Sequence, residues 1–377
     1  MDECQDLSYV QLKLLGTLCE NGCKIHLIGD LNQAIYGFRN IEPSDTSEFI
    51  ENYGFDIHLL KENYRSCQPV VNASEYVVNG KNEIVGRNSG KVEFPLIAIL
   101  YSKGKEKSAI NKFHEYVLEN NLSVEESRII VRNHNLKNKL LGLKNNSQSY
   151  NNLETMAQVV YLLNQKEQES DFKMLFDMLA KNIQRIFFKT SEHLNSQFFY
   201  RPKEIESKDW KKILFDIRTL LKDAKQLNDF SVTWTEWKKL LNRLMVEKIE
   251  VLPELLGCMY NIGNIRRGNK NKTVEEILFD NKEGDLLYPI ETIHGCKGMS
   301  LDAVFFLSSY QASNDEHSGG YWKQWFNREN IGEENRLAYV AFSRARYLLA
   351  LGIPKPQNFS EGDRKVLKDA GFEIIEN

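Results

Sequence analysis

The sequence has no Cys-x-x-Cys pair, no secretory leader, no apolar run long enough to cross a bilayer and no marked excess of either charge. Its six cysteines, Cys4, Cys19, Cys23, Cys67, Cys258 and Cys296, are scattered, so neither a disulfide framework nor a closed zinc site is expected. Cys19 and Cys23 share a helical face, but two ligands do not enclose a metal, and buried small side chains account for them. Without leader or spanning segment, the expected location is the reducing cytoplasm, away from any membrane. A formal net charge of −3 over 377 residues generates no global field for nucleic acid, which would have to be met by local basic strips. Internal repeats, low-complexity tracts and nuclease motifs are also missing. What is there is ordinary globular material, 42% hydrophobic and 27% charged, enough for two or three cores.

Leu7, Val10, Leu14, Leu15 and Leu18 recur at helical spacing, and "ENGCK" ends that helix. "KIHLIGD" then reads as a strand with Gly-Asp at its end, the usual place for a functional loop in an α/β sheet. "IHLLKENYRS" repeats the arrangement, with Pro69 opening the next helix. "FPLIAILYS" and "RIIVRN" are further strand candidates, and "NLKNKLLGLKNN" a basic helix. From about Tyr150 to Asp285 long helical patterns follow one another with few strand candidates. "YPIETIHGCKG", "LDAVFFLSS" and "YLLALGIP" restore strands to the end. The expected fold is therefore an α/β sheet interrupted by an all-helical insertion.

Several short segments carry possible chemistry. Asp2, Glu3, Gln5 and Asp6 place carboxylates where a nucleotide hydrolase would hold Mg²⁺ and activate water; solvated helix caps explain half of them equally well. "IGDLNQAIYGFRN" ends a strand in Gly29-Asp30 and then offers the amide of Gln33, the rings of Tyr36 and Phe38 and the cation of Arg39. An amide can sense phosphate and rings can stack bases, an interaction worth about 1–3 kcal/mol per base. Core aromatics beside a surface arginine are the simpler account of that segment alone. In "LKENYRS", Tyr64 could stack on a base while Arg65 forks onto phosphate oxygens. "ETIHGCKGMS" sets Thr292, His294, Lys297 and Gly298 on a strand-to-helix loop suited to backbone phosphates. In "EENRLAYVAFSRAR", Arg336, Tyr339 and Arg344 exceed what one core would satisfy, although an exposed, ion-paired helix is again a sufficient reading.

The order of these segments carries more weight than any one of them. D-E-x-Q-D, G-D-x-x-Q-x-I-Y-x-F-R, N-Y-R-S, T-x-H-x-x-K-G and E-E-x-R-L-x-Y-V-A-x-S-R-A resemble, in sequence, motifs II to VI of superfamily 1 helicases of the UvrD/Rep/PcrA group. "IIVRN", with Arg132 and Asn133, resembles a further strand of that group. The resemblance implies a RecA-like P-loop NTPase helicase core with a partial first domain and a complete second one. Residues 1–85 would be the later part of the first domain, 86–150 and 286–377 the second, and 151–285 the helical insertion. It implies ATP and Mg²⁺ as cofactors, with Asp2 serving the metal, Glu3 as general base, and Gln33 and Arg65 at the γ-phosphate. Tyr64 would stack on adenine, Lys297 and Gly298 would lie at the nucleotide, and Arg344 would be the arginine finger. Tyr36, Phe38, Arg39, Arg132, Asn133, Thr292 and His294 would face DNA. The implied activity is ATP-dependent translocation, 3′ to 5′, on single strands and single/double-strand junctions. Repair, recombination or anti-phage defence would be its setting, with a nuclease or repair protein as possible partner. A non-catalytic DNA-binding or regulatory module is the alternative from another class.

Two departures qualify the resemblance. Where the family pattern reads K-G-L-E, this chain has Lys297-Gly298-Met299-Ser300, so a hydroxyl replaces a carboxylate expected near the ribose. Nor is there any G-x-x-x-x-G-K-[ST] string: "GRNSGKV", Gly86 to Val92, has one residue too few between its glycines and no hydroxyl at its end. The expectation is a fragment that lacks its phosphate loop and does not hydrolyse ATP alone. Within the insertion, "NIRRGNKNKTVEE" offers Arg266, Arg267, Lys270 and Lys272 as a phosphate-contacting strip, with Thr273 and Glu276 in capping-box spacing. A solvated loop is the equal alternative.

Overall fold

A computed structural model describes the chain apart from residues 38–40, 82, 103, 133, 142–150, 165–168, 253–254, 256–257, 259, 267–268, 279–286, 311–319, 356–358 and 377. The chain divides into two compact units, one made of Met1–Leu140 with Leu286–Asn377 and the other of Leu141–Asp285. No helix among the described residues is long and apolar enough to cross a membrane.

The first unit is organised by runs of consecutive apolar residues, the pattern of strands covered on both faces. The short strands β1 (Glu62–Asn63) and β2 (Val85–Gly86) pair in parallel. The main sheet contains β3 (Leu96–Tyr101), β4 (Ser127–Val131), β5 (Ile290–Thr292), β6 (Leu301–Leu307), β7 (Ala345–Pro354) and β8 (Glu373–Glu376). Its order is β5-β4-β6-β7-β3-β8, and the pairings are parallel. Every residue of β3 and β6 is buried, and each aliphatic side chain so removed from water contributes about 1.5–3 kcal/mol. The Glu333–Phe342 helix lies in the same core, with Leu337, Ala338, Val340 and Ala341 fully buried.

Two expected strands are not paired as such. Residues 24–30 run extended beside the N-terminal segment through Met1 N–H to His26 O at 2.8 Å, Ile28 N–H to Met1 O at 2.8 Å and Cys4 N–H to Ile28 O at 3.0 Å. Of "IHLLKENYRS", only Glu62–Asn63 enters a strand. Ile28, Ile57, Leu59 and Leu60 remain exposed; an apolar alternation becomes a strand only where a neighbour accepts its backbone and covers its face. The Tyr9–Glu20 helix buries Leu12 and Gly16 but leaves Val10, Leu14 and Leu18 in solvent.

In the second unit the described regular elements are helices: Asn152–Asn164, Glu169–Phe187, Ser207–Asp223, Trp234–Val251 and Val274–Leu278, with short 3₁₀ turns between. Their apolar stripes meet around Met156, Leu179, Ile183, Trp210, Ile217 and Trp237. Thr233 and Glu236 form a reciprocal capping box at one helix start. Thr273 and Glu276 form another, with Thr273 N–H to Glu276 Oε2 at 2.8 Å and Glu276 N–H to Thr273 Oγ1 at 3.2 Å.

Candidate functional site

The site in the first unit is assembled from five separated stretches, beginning with a turn that glycine permits. A Cβ on Gly29 would lie 2.4 Å from Gln5 Oε1 and 2.6 Å from Cys4 Sγ. Only a residue without one lets the segment after residue 28 close onto the Cys4–Asp6 turn. Gln5 Oε1 then accepts the Asp30 N–H at 3.1 Å. Glu3 precedes this turn with φ of 52°, a left-handed conformation, and its carboxylate receives the Gln5 amide.

Asp30 is the hub of the next turn. Its Oδ1 caps the Leu31–Gln33 3₁₀ turn by accepting Asn32 N–H at 3.0 Å. Its Oδ2 accepts both Gln33 Nε2 at 3.1 Å and the Tyr339 hydroxyl at 2.7 Å. With its nitrogen committed to Asp30, Gln33 presents Oε1 to the Arg344 guanidinium at 3.3 Å. Tyr339 is buried, and burial followed by the Asp30 charge pushes its phenol well above the ordinary range, so it remains a donor.

Arg65 is delivered by an Asx turn in which Asn63 Oδ1 accepts the N–H groups of Arg65 and Ser66, each at 2.9 Å. Its Nε donates to Ser300 Oγ at 2.8 Å and its Nη1 to Ser343 O at 3.2 Å. The hydroxyl that replaces the expected ribose-facing carboxylate therefore holds this arginine. Arg344 is only 2% exposed and donates to neutral acceptors: Val340 O at 3.0 Å, Ser343 Oγ at 2.9 Å and Gln33 Oε1. Among the described residues neither guanidinium has a carboxylate partner. Burial first, then the neighbouring Arg65, lowers the pKa of Arg344; burial and then Arg346 lower that of Arg65. Two desolvated guanidiniums facing neutral groups, with the Glu3 charge acting on both from a distance, are an arrangement that an anion would stabilise.

Lys297 crosses to the N-terminal carboxylates. Its Nζ lies 2.5 Å from Asp6 Oδ2, 3.3 Å from Glu3 Oε2 and 3.3 Å from Gln33 O. The lysine expected at the nucleotide is thus paired here with carboxylates of the segment expected to serve metal and water. Gly298 follows with φ of 85°, which makes the turn after Lys297. Asp2 is exposed, its Oδ1 taking the Glu3 N–H at 2.9 Å.

The residues expected at DNA are distributed less uniformly. Tyr36 is half-buried, with its ring 5.6 Å from that of His294 and 5.1 Å from Lys297 Nζ. One nitrogen of His294, Nε2, is 3.0 Å from Ile35 O. Thr292 is buried, and its hydroxyl accepts Gly295 N–H at 3.2 Å as the cap of a short helical turn. Arg132 is held by Glu334 at 2.9 Å. Phe38, Arg39 and Asn133 lie outside the described residues. Tyr64 is 73% exposed, its hydroxyl donated to Glu62. Sequence reasoning had placed no contact on Asp30 or Tyr339 as a pair, nor on Ser300 as a ligand of Arg65; the Gly-Asp at a strand end was the available signal for the first.

In the second unit, Arg266 is ion-paired with the buried Glu154 at 3.1 Å, so this cation of the basic strip is engaged within the unit; Arg267 lies outside the described residues.

Residues 1–54 match the UvrD/REP helicase N-terminal domain, and residues 143–355 the UvrD-like helicase C-terminal domain. A putative ATP-dependent DNA helicase, YjcD, of Bacillus subtilis is 21% identical over 94% of this chain and 51% of its own length. A probable DNA helicase II homolog of Rickettsia felis is 24% identical over 92% of this chain and 59% of its own. An ATP-dependent DNA helicase PcrA of Leuconostoc citreum is 32% identical, over 22% of this chain and 12% of its own. The chain therefore spans about half the length of the curated relatives it matches over most of its sequence.

Proposed function

The chain belongs to the UvrD-like helicase family, and we propose that it is the nucleotide-sensing and strand-engaging portion of an ATP-driven DNA helicase, acting with a phosphate-loop segment that this sequence does not contain. The observation that carries the reading is the pairing of Arg344 with Gln33 beside Arg65, with both guanidiniums turned on neutral acceptors. A γ-phosphate there would receive charge from Arg344 and Arg65 while Gln33 reports its presence to Asp30. Glu3 is the proposed general base and Tyr64, exposed beside Arg65, the platform for adenine.

Among the described residues no cluster of three or more His, Cys, Asp or Glu could cage a metal ion. The exposed carboxylate of Asp2 nonetheless suits Mg²⁺, which takes one or two carboxylates plus phosphate oxygens rather than an all-protein cage. Bound there, the ion would neutralise phosphate charge. Residues 1–85 are proposed as the later part of a first RecA-like domain, with the second built from 86–150 and 286–377 and a helical insertion at 151–285. The exposed Val10, Leu14, Leu18, Ile28, Leu59 and Leu60 support a covering α/β segment as the source of the phosphate loop. Tyr36, His294, Arg132 and the Thr292 turn, with Phe38, Arg39 and Asn133, are the proposed DNA side. By the resemblance, travel is 3′ to 5′ on single strands and junctions, in repair, recombination or anti-phage defence.

The test is binding of fluorescein-labelled oligo(dT) by anisotropy together with ATP turnover by the purified chain. Binding without turnover is the expected result. Failure to bind at low salt would reject the DNA reading. DNA-stimulated turnover lost in Glu3→Gln would instead leave the helicase reading intact and overturn the account of the phosphate loop.

A further inference from the structure

The second unit carries a feature that neither the sequence motifs nor the proposed nucleotide site uses: a short finger between the Glu169–Phe187 and Ser207–Asp223 helices. Its stem is antiparallel, with a bridge between His193 and Pro202, Leu194 N–H to Arg201 O at 2.8 Å and Lys203 N–H to Glu192 O at 2.8 Å. Its tip is organised by Asn195. The side chain accepts Gln197 N–H at 3.1 Å, and the backbone oxygen accepts the N–H groups of Phe198 and Tyr200, each at 3.1 Å.

The strain in this finger is specific. Phe199 and Tyr200 both have φ of 50°, consecutive left-handed residues at positions where bulky side chains are outliers and glycine or asparagine is expected. Each such residue persists only where the surroundings over-determine it. Here Phe199 O is held at 2.8 Å by the indole N–H of Trp210, itself only 1% exposed, and the Phe199 ring turns inward to 6.3 Å from Phe176. Tyr200 lies with Lys181 Nζ 5.5 Å above its ring and His193 6.3 Å away. The reversal leaves Phe198 outward, 54% exposed at the tip. An apolar ring is thus held in solvent at the tip, on a finger that has Lys181 over the neighbouring Tyr200 ring and carries Arg201, whose Nη1 donates to Ile205 O.

We infer that this finger is a nucleic-acid contact in which Phe198 stacks on an unpaired base, with Lys181 and Arg201 supplying the field for the adjoining phosphates. The chemistry follows from the parts: a flat π-face without a ring partner among the described residues, cations on the same finger and the helix behind it, and a backbone held by hydrogen bonds so that little entropy is lost on contact. The inference rests on the proposed DNA function, but places a contact in the second unit, apart from the residues assigned to DNA in the first.

The experiment compares oligo(dT) binding by the full chain and by Phe198→Ala, Phe198→Trp and Phe198→Leu across a salt series. Phe198→Ala should weaken binding roughly tenfold without altering the slope of log affinity against log salt, since stacking releases no counterions. Phe198→Trp should retain wild-type affinity and Phe198→Leu should not. Unchanged affinity in Phe198→Ala, while the wild type binds, would overturn the inference alone. Full binding by Phe198→Leu would also overturn it, because an aliphatic side chain cannot stack on a base and the ring would then not be what the strand meets. Absence of wild-type binding would overturn both this inference and the DNA reading on which it rests.

Discussion

Gly29→Ala is the sharpest perturbation the first unit offers, because one methyl group is placed against both sides of a junction. The added Cβ would approach Gln5 Oε1 to 2.4 Å, Cys4 Sγ to 2.6 Å and the Cys4 backbone nitrogen to 3.0 Å. Cys4 is 5% exposed and Gln5 1%, so neither side chain has free space into which to move. Overpacking of this kind costs about 1–3 kcal/mol. The alternative relief is for Gln5 to swing away, which breaks its bond to Asp30 N–H and leaves a backbone donor bare, at about 1–3 kcal/mol. The chain adopts the cheaper of the two, not their sum, so local destabilisation of about 2 kcal/mol is expected. Amide hydrogen exchange at Cys4 and Asp30 reads that quantity directly, since both amides are protected by bonds across this junction. A loss of about 2 kcal/mol corresponds to exchange roughly thirtyfold faster. Amides in the β6–β7 pair should be unaffected. Unchanged protection at Cys4 and Asp30 in a folded Gly29→Ala protein would refute the argument that close approach is what requires glycine there.

Tyr339→Phe removes the hydroxyl from Asp30 Oδ2 and should cost roughly 1–2 kcal/mol, measured by urea unfolding; a variant as stable as the wild type would contradict the hub role of Asp30. Glu75 is 7% exposed, and burial, then the Asp30 charge, raises its pKa. The folded chain therefore binds that proton more tightly than the unfolded chain, and stability falls as pH rises from the ordinary carboxylate pKa to the raised folded one. Glu75→Gln should stabilise the protein at neutral pH, with the gain shrinking as the medium is acidified towards about pH 4; a pH-independent difference would reject this. Sodium tripolyphosphate should raise the thermal midpoint of the wild type but not of Arg344→Met, because a ligand stabilises only the state that binds it; equal shifts would place the anion elsewhere.

The elements legible in the sequence were those whose signal is local. β3 is a continuous apolar run and β6 one interrupted only by Asp302, the pattern of a doubly covered strand, and the helices of the second unit repeat their apolar positions at helical spacing. The chemical segments could be read because residue type and order survive without coordinates. What stayed illegible depended on distant partners. "KIHLIGD" has a strand's composition, but its pairing is decided by what lies beside it. Thr292 has the type of a phosphate ligand, while its hydroxyl oxygen also accepts the Gly295 N–H three residues on. Lys297 reads as a cation for a nucleotide, and its pairing with Asp6, 291 residues away, has no local signal. The Phe199-Tyr200 reversal violates the local preference of its own residues, so no propensity argument could have found it.

The loop from Asp30 to Ile35 is gripped by side chains that come from residues 294 to 344: Tyr339 on Asp30, Lys297 on the Gln33 carbonyl, Arg344 on its amide, Arg336 on Ala34 and His294 at Ile35. Such an arrangement behaves like a key in a lock cylinder. Five contacts hold six residues, so turning the loop by one residue would release several of them together, which favours a discrete displacement over a graded one. A small chemical event at Gln33 would therefore be transmitted as a discrete step, and the size of that step would be set by the spacing of the pins, not by the energy of the event that trips them.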